Sequence, residues 1–170
     1  SKIGLPGTRT GIVVASKEVC RAVSSMTSIV GLANGNVGQE IMRPLIESGE
    51  VLRLSREVVK PFYEEKSKQA QEWITQHFGE KFPYYVHRSE GALFLWIWFE
   101  GLPISTKELY QRLKKRSVLI VPGEYFFFGL PEGTEWAHTR ECIRMTYTMP
   151  PKMVEEAIEI IAEEVEKAFR

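Results

Sequence analysis

Lys2 and Arg9 stand on either side of Gly4, Pro6 and Gly7, a spacing that forbids a regular helix or strand between them. The apolar run Ile12-Val13-Val14-Ala15 follows and is expected to be a buried strand over residues 11–15. A lysine and an arginine would then be held on a fixed loop at the mouth of a strand. That arrangement suits a bound anion together with an amine used for chemistry. An arginine grips a phosphate bidentately, and its charge lowers the pKa of a neighbouring lysine. A lysine so perturbed has a free amine able to form a Schiff base with an aldehyde. An exposed basic tail would carry the same two residues, and the residues alone leave both options open.

A third cation has a different setting. Arg140 to Tyr147 alternates, with Cys142, Arg144 and Thr146 on one face and Ile143, Met145 and Tyr147 on the other. An arginine centred in a strand this apolar requires a partner or an anion. A structural ion pair with a nearby glutamate would meet that need as well as a ligand would.

The elements that must carry these residues are legible in outline. Lys17 to about Leu32 has apolar residues at helical spacing, with Ser16 as N-cap. Gly31 to Gly38 is a turn-rich break, and a short helix runs from about Gln39 to Ser48, ended by Gly49. A long helix is expected from about 51 to 78, kinked between Glu57 and Pro61 because Pro61 lacks an N–H, and capped by Gly79. Its first half is apolar and its second half polar. Phe82 to His87 is a short strand. Ala92 to Phe99 is apolar on both faces and is expected as a central strand covered on both sides by helices. Its aromatics carry no interleaved basic residues, which favours a core strand over a base-stacking platform. Pro103 to Arg116 reads as a helix with Ser105 as N-cap and Glu108 at the capping-box position, and Val118 to Val121 as a short buried strand. Pro151 to Phe169 is an amphipathic helix.

Composition narrows the function classes. The chain has 170 residues, 44% of them apolar, with 22 basic and 22 acidic side chains that balance to zero. Nothing in that balance favours nucleic acid or an anionic membrane as partner. No apolar run approaches a membrane span, and no secretory leader is recognised. Cys20 and Cys142 match no metal or redox motif and are expected to be reduced thiols of a cytoplasmic protein. His77, His87 and His138 have no mutual metal-ligand spacing, so no metal is expected.

The segment Ser1-Lys2-Ile3-Gly4-Leu5-Pro6-Gly7-Thr8-Arg9-Thr10-Gly11 resembles the cofactor-lysine segment of the fold-type I aminotransferases that depend on pyridoxal 5'-phosphate (PLP). Many members have one more residue between the lysine and the Pro-Gly pair. The shorter spacing is similar to the valine–pyruvate branch, as are the Gly91 to Phe99 and His138 to Met145 stretches. Pro122 to Gly129 resembles the family's Pro-Gly…Phe-Gly loop near the substrate mouth, with an extra aromatic.

The resemblance implies that Lys2 carries PLP covalently and is the catalytic base, that Arg9 holds the cofactor phosphate, and that Arg144 binds the substrate carboxylate. It implies an α/β fold: residues 1–54 as the C-terminal remnant of a large PLP-binding domain, and residues 55–170 as a small domain with a mainly antiparallel sheet covered by helices. The helix at about 51–78 would link the two. The loop at Gly31 to Gly38 would lie at a dimer interface, making Asn34 and Asn36 further candidates. The chain is then expected to be the C-terminal part of a homodimeric, amino-acid-biosynthetic enzyme, inactive by itself. The reaction implied exchanges an amino group between valine and pyruvate, giving 2-oxoisovalerate and alanine. The substrates are thus amino acids and 2-oxo acids. Two other classes share the scaffold: another PLP-dependent aminotransferase or decarboxylase, and a transcription regulator with an aminotransferase-like PLP-sensing domain.

Overall fold

The computed structural model describes residues 11–31, 35–91, 93–131 and 133–170. The chain divides into two compact units, Ser1–Pro61 and Phe62–Arg170. The loop expected to carry Lys2 and Arg9 lies outside the described residues, as does Asn34.

In the first unit, residues 11–15 are not a strand. The apolar side chains that suggested one are in solvent, with Val14 93% and Ile12 62% exposed. A β-strand needs a neighbour for its N–H and C=O groups, and none of the described strands pairs with this run. Helix α1 (Lys17–Val30) follows, and the Ser16 hydroxyl accepts a hydrogen bond from the Val19 amide at 3.3 Å, as its N-cap role requires. No residue of α1 is buried. Helix α2 (Val37–Glu47) buries Met42 and leaves Ile41 and Ile46 exposed.

The expected long helix is three pieces: α3 (Glu50–Leu54), a π-helical turn (Ser55–Val59) and α4 (Lys60–Phe78). Pro61 explains the interruption. It has no N–H for the carbonyl four residues earlier, and its ring crowds that carbonyl. The backbone widens instead, and the Lys60 amide donates to the Ser55 carbonyl five residues back. At the far end Gly79 takes the left-handed conformation, φ +53°, and its amide returns to the Thr75 carbonyl at 3.1 Å.

The second unit is built on a four-stranded antiparallel sheet of order β1-β2-β4-β3. The strands are β1 (Tyr85–Val86), β2 (Phe94–Trp98), β3 (Val121–Pro122) and β4 (Cys142–Thr146). Between β2 and β3 runs α5 (Thr106–Lys115), capped by the Ser105 hydroxyl accepting from the Glu108 amide at 3.2 Å. The one-turn helix α6 (His138–Glu141) leads into β4, and α7 (Pro151–Phe169) closes the chain with proline at its first position.

One face of the sheet, made by Leu95, Ile97, Ile143 and Met145, packs on α4, α5 and α7. Ile74, Leu109, Leu113, Ile158, Ile161 and Val165 fill that layer and are fully buried. Burial of each such side chain contributes about 1.5–3 kcal/mol. The expectation that helices cover both faces of β2 is not met. Its other face, Phe94, Trp96 and Trp98, is half-buried, covered by an aromatic loop and the one-turn α6. Continuous apolarity misled because these aromatics pack against a loop and a one-turn helix and not against a second helix layer. Among the described residues, no helix is long and apolar enough to cross a membrane.

Candidate functional site

Arg144 is the centre of β4, paired with Trp96 on β2 and Val121 on β3. Period-two alternation places it on the half-buried face, opposite the helix-packed core. Its guanidinium carbon lies 4.2 Å from the Phe94 ring centroid and 4.8 Å from that of Phe126. Among the described residues, its buried Nε has no hydrogen-bond partner and no carboxylate pairs with it. The ring faces attract the cation through their quadrupoles. They do not satisfy a donor in the guanidinium plane, and a buried charged donor left unmet is costly. An anion approaching in that plane would meet the need. Of the two options open from the sequence, an ion pair with glutamate is not made among the described residues.

Phe126 is brought to Arg144 by a 3-10 turn, Gly123–Phe126, which leaves β3 directly. Gly123 lies so close to β4 that a Cβ there would fall 2.6 Å from the Cys142 carbonyl oxygen. Only glycine lets the turn approach the strand this closely. From the other side, Lys107 at the start of α5 pairs with Glu124 at 2.5 Å and lies 5.4 Å from the Tyr125 ring. The Glu124 carboxylate raises the Lys107 pKa. Strand and helix thus both fix the turn.

The face continues as packed aromatics. Trp96 meets Phe126 edge-on at 5.3 Å, and Trp136 stacks on His138 at 5.0 Å. Trp98 stacks on Tyr85 at 4.9 Å and donates its indole N–H to Glu141 at 2.7 Å. The Glu141 carbonyl accepts from the Phe99 amide at 3.0 Å, so one residue ties α6 both to β2 and to the residue that follows it. Cys142 lies beneath, its Sγ 3.4 Å from His138 Nε2. Burial pushes its thiol up to about 11, the opposite of an activated nucleophile.

Of the sequence candidates, Arg144 is placed on this face, whereas Lys2, Arg9 and Asn34 lie outside the described residues. Asn36 precedes α2 and makes no side-chain capping bond. Phe94, Phe126 and Gly123 were not singled out from sequence. Phe94 carried a signal, since it shares a strand face with Trp96. Phe126 and Gly123 sat in the Pro122 to Gly129 loop, whose contact with Arg144 is tertiary.

Comparison with known proteins agrees with the segment-level resemblance. Residues 2–161 match the family described as "Aminotransferase class I and II". The chain is 44% identical over 169 residues to the valine–pyruvate aminotransferase of Escherichia coli (strain K12), covering 99% of this chain and 40% of that protein. It superposes on the crystal structure of valine–pyruvate aminotransferase AvtA from Salmonella typhimurium LT2 with TM-score 0.91 and 45% identity, covering 100% of this chain and 43% of that one. The kynurenine aminotransferase of Pyrococcus horikoshii shares the fold at TM-score 0.79 and 23% identity, with 100% and 40% covered. The chain thus spans about two fifths of the length of these relatives. It belongs to the aminotransferase class I and II family.

Proposed function

We propose that this chain is the carboxylate-binding and lysine-bearing part of a PLP-dependent aminotransferase that moves an amino group between valine and pyruvate. The observation that carries the proposal is the buried Nε of Arg144, unpaired among the described residues and set on an aromatic face, which fits a carboxylate approaching in the guanidinium plane. The similarity to valine–pyruvate aminotransferases supports the choice of substrates.

PLP presents an aldehyde and a phosphate, and the amine of Lys2 with the guanidinium of Arg9 is a donor set that fits both. When bound, the cofactor supplies the electron sink for cleavage of the Cα–H bond. Lys2 moves the proton off the substrate Cα. Arg144 fixes the carboxylate and so orients that bond. The remaining part of a homodimeric, cytoplasmic enzyme would complete the cofactor cradle.

Replacing Arg144 by lysine in the full-length protein tests the proposal. A planar fork becomes a point charge, and affinity for valine and pyruvate is expected to fall by about 1.5–3 kcal/mol with cofactor affinity unchanged. Borohydride reduction and peptide mapping should place the pyridoxyl group on Lys2. A label elsewhere, or loss of cofactor with normal substrate kinetics in the Arg144 variant, refutes the assignments.

A further inference from the structure

We propose that Phe126, together with Phe94, is a positioning residue that fixes the plane of the Arg144 guanidinium and thereby sets affinity for the substrate carboxylate. The inference rests on Arg144 being the carboxylate-binding residue. An arginine side chain has several rotatable bonds, and a bidentate pair forms only when the guanidinium plane is held. Hydrogen bonds from neighbours usually hold it. Here Nε has no such partner among the described residues, and of these the rings at 4.2 and 4.8 Å are the groups that restrict the plane. Rings leave the in-plane donors unused, whereas an ion pair would consume them.

The supports of the two rings differ. Phe94 stands on the central strand β2, whose partners fix its position. Phe126 is on the 3-10 turn, 37% exposed, braced by Gly123 against Cys142 and by the Lys107–Glu124 pair. Trp96, directly opposite Arg144, meets Phe126 edge-on and limits its ring rotation. The turn therefore acts on the carboxylate through Arg144, without touching it.

The test is a double-mutant cycle in the cofactor-loaded, full-length protein, with 3-methylbutanoate as probe carboxylate titrated by calorimetry and KM for L-valine in parallel. Phe126→Leu keeps an apolar side chain and removes the ring face. It should weaken 3-methylbutanoate binding and raise KM about three- to tenfold, with kcat nearly unchanged. Phe126→Tyr should stay within twofold of wild type. In an Arg144→Lys background, Phe126→Leu should change affinity less than twofold. Phe94→Leu is the second arm and should couple to Arg144 in the same way. If neither leucine variant weakens binding, or if both weaken it equally in the Arg144→Lys background, the rings do not act through Arg144 and the inference is overturned. If Arg144→Lys itself leaves carboxylate affinity intact, the underlying assignment of Arg144 has failed, and that outcome is distinct from the other two.

Discussion

Gly123 faces the backbone of Cys142 so closely that an added Cβ would lie 2.6 Å from the carbonyl oxygen and 2.7 Å from the Cys142 Cβ. The contact joins the 3-10 turn to the strand that carries Arg144. Gly123→Ala must push the turn away, because the nearest obstacle is backbone and cannot rotate aside. The expected cost is about 1–3 kcal/mol, the range for overpacking. Truncating the Cys142 side chain should not restore stability, since its carbonyl stays in place. Denaturant unfolding of the single and double variants measures both effects. A neutral Gly123→Ala would show that the turn moves freely.

Glu164 on α7 accepts from Lys167 at 2.8 Å and from Arg116, just after α5, at 3.0 Å. Its side chain is only 10% exposed. The Lys167 bond, followed by that of Arg116, holds its pKa below the ordinary 4.5 against the opposing effect of burial. A carboxyl whose folded pKa is depressed binds fewer protons folded than unfolded. Its stabilisation is therefore complete above 4.5 and is lost as pH falls through the lower folded value. Glu164→Gln should cost about 1–2 kcal/mol at pH 7 and close to nothing at the acid end. Unfolding free energies of both proteins across that range should converge. A pH-independent difference would mean packing, not charge, is what the substitution removes.

Cys142 and Cys20 should differ sharply as thiols. Cys142 is buried, and burial pushes its pKa up to about 11 from 9.0, while Cys20 is exposed. Below pH 9 the folded chain keeps Cys142 protonated and inaccessible, so a thiol reagent should label Cys20 at once and Cys142 only after opening. Between pH 9 and 11 the folded state holds a proton that the unfolded state releases, so stability should decline as pH rises through that window. Equal labelling rates in buffer would show that the β4 layer opens freely.

Helices were the most legible part of the sequence because their signals are local. Ser16 and Ser105 were placed as N-caps from residue type and spacing, and both hydroxyls accept the expected amide. Pro61 announced an interruption, but its form, a widened turn, depends on how the carbonyls before it are met. Ile12 to Ala15 shows the limit of periodicity. The run has the composition of a strand, yet a strand exists only beside a neighbour, and composition does not say where that neighbour is. The aromatic run of β2 misled for a related reason. Apolarity on both faces indicated two covers but not their kind, and Trp96 lies against Phe126 from a distant loop. Arg144 was legible as a charge needing compensation. That its neighbours are rings was not, because Phe126 reaches it through the 3-10 turn.

The two units should differ in autonomy. Among the described residues, every buried apolar side chain except Met42 lies between Ala70 and Val165. These residues form a layered core of one sheet and the helices α4, α5 and α7, which is the minimum a stable domain requires. By contrast α1 buries nothing, and Ile12, Val13, Met26, Ile29 and Val30 are all exposed. A helix of this length without tertiary burial is marginal in water. A chain of residues 55–170 should therefore fold cooperatively, with a thermal midpoint within a few degrees of the whole chain. In the whole chain, amide exchange should be slow across β2, β4 and α7 and fast from Gly11 to about Val30. The exposed apolar groups of the first unit should also promote self-association as concentration rises. Sedimentation and exchange measured together decide the matter. Protection of Gly11 to Ala15 equal to that of β2, in a sample shown to be monomeric, would mean that this segment is ordered without a partner.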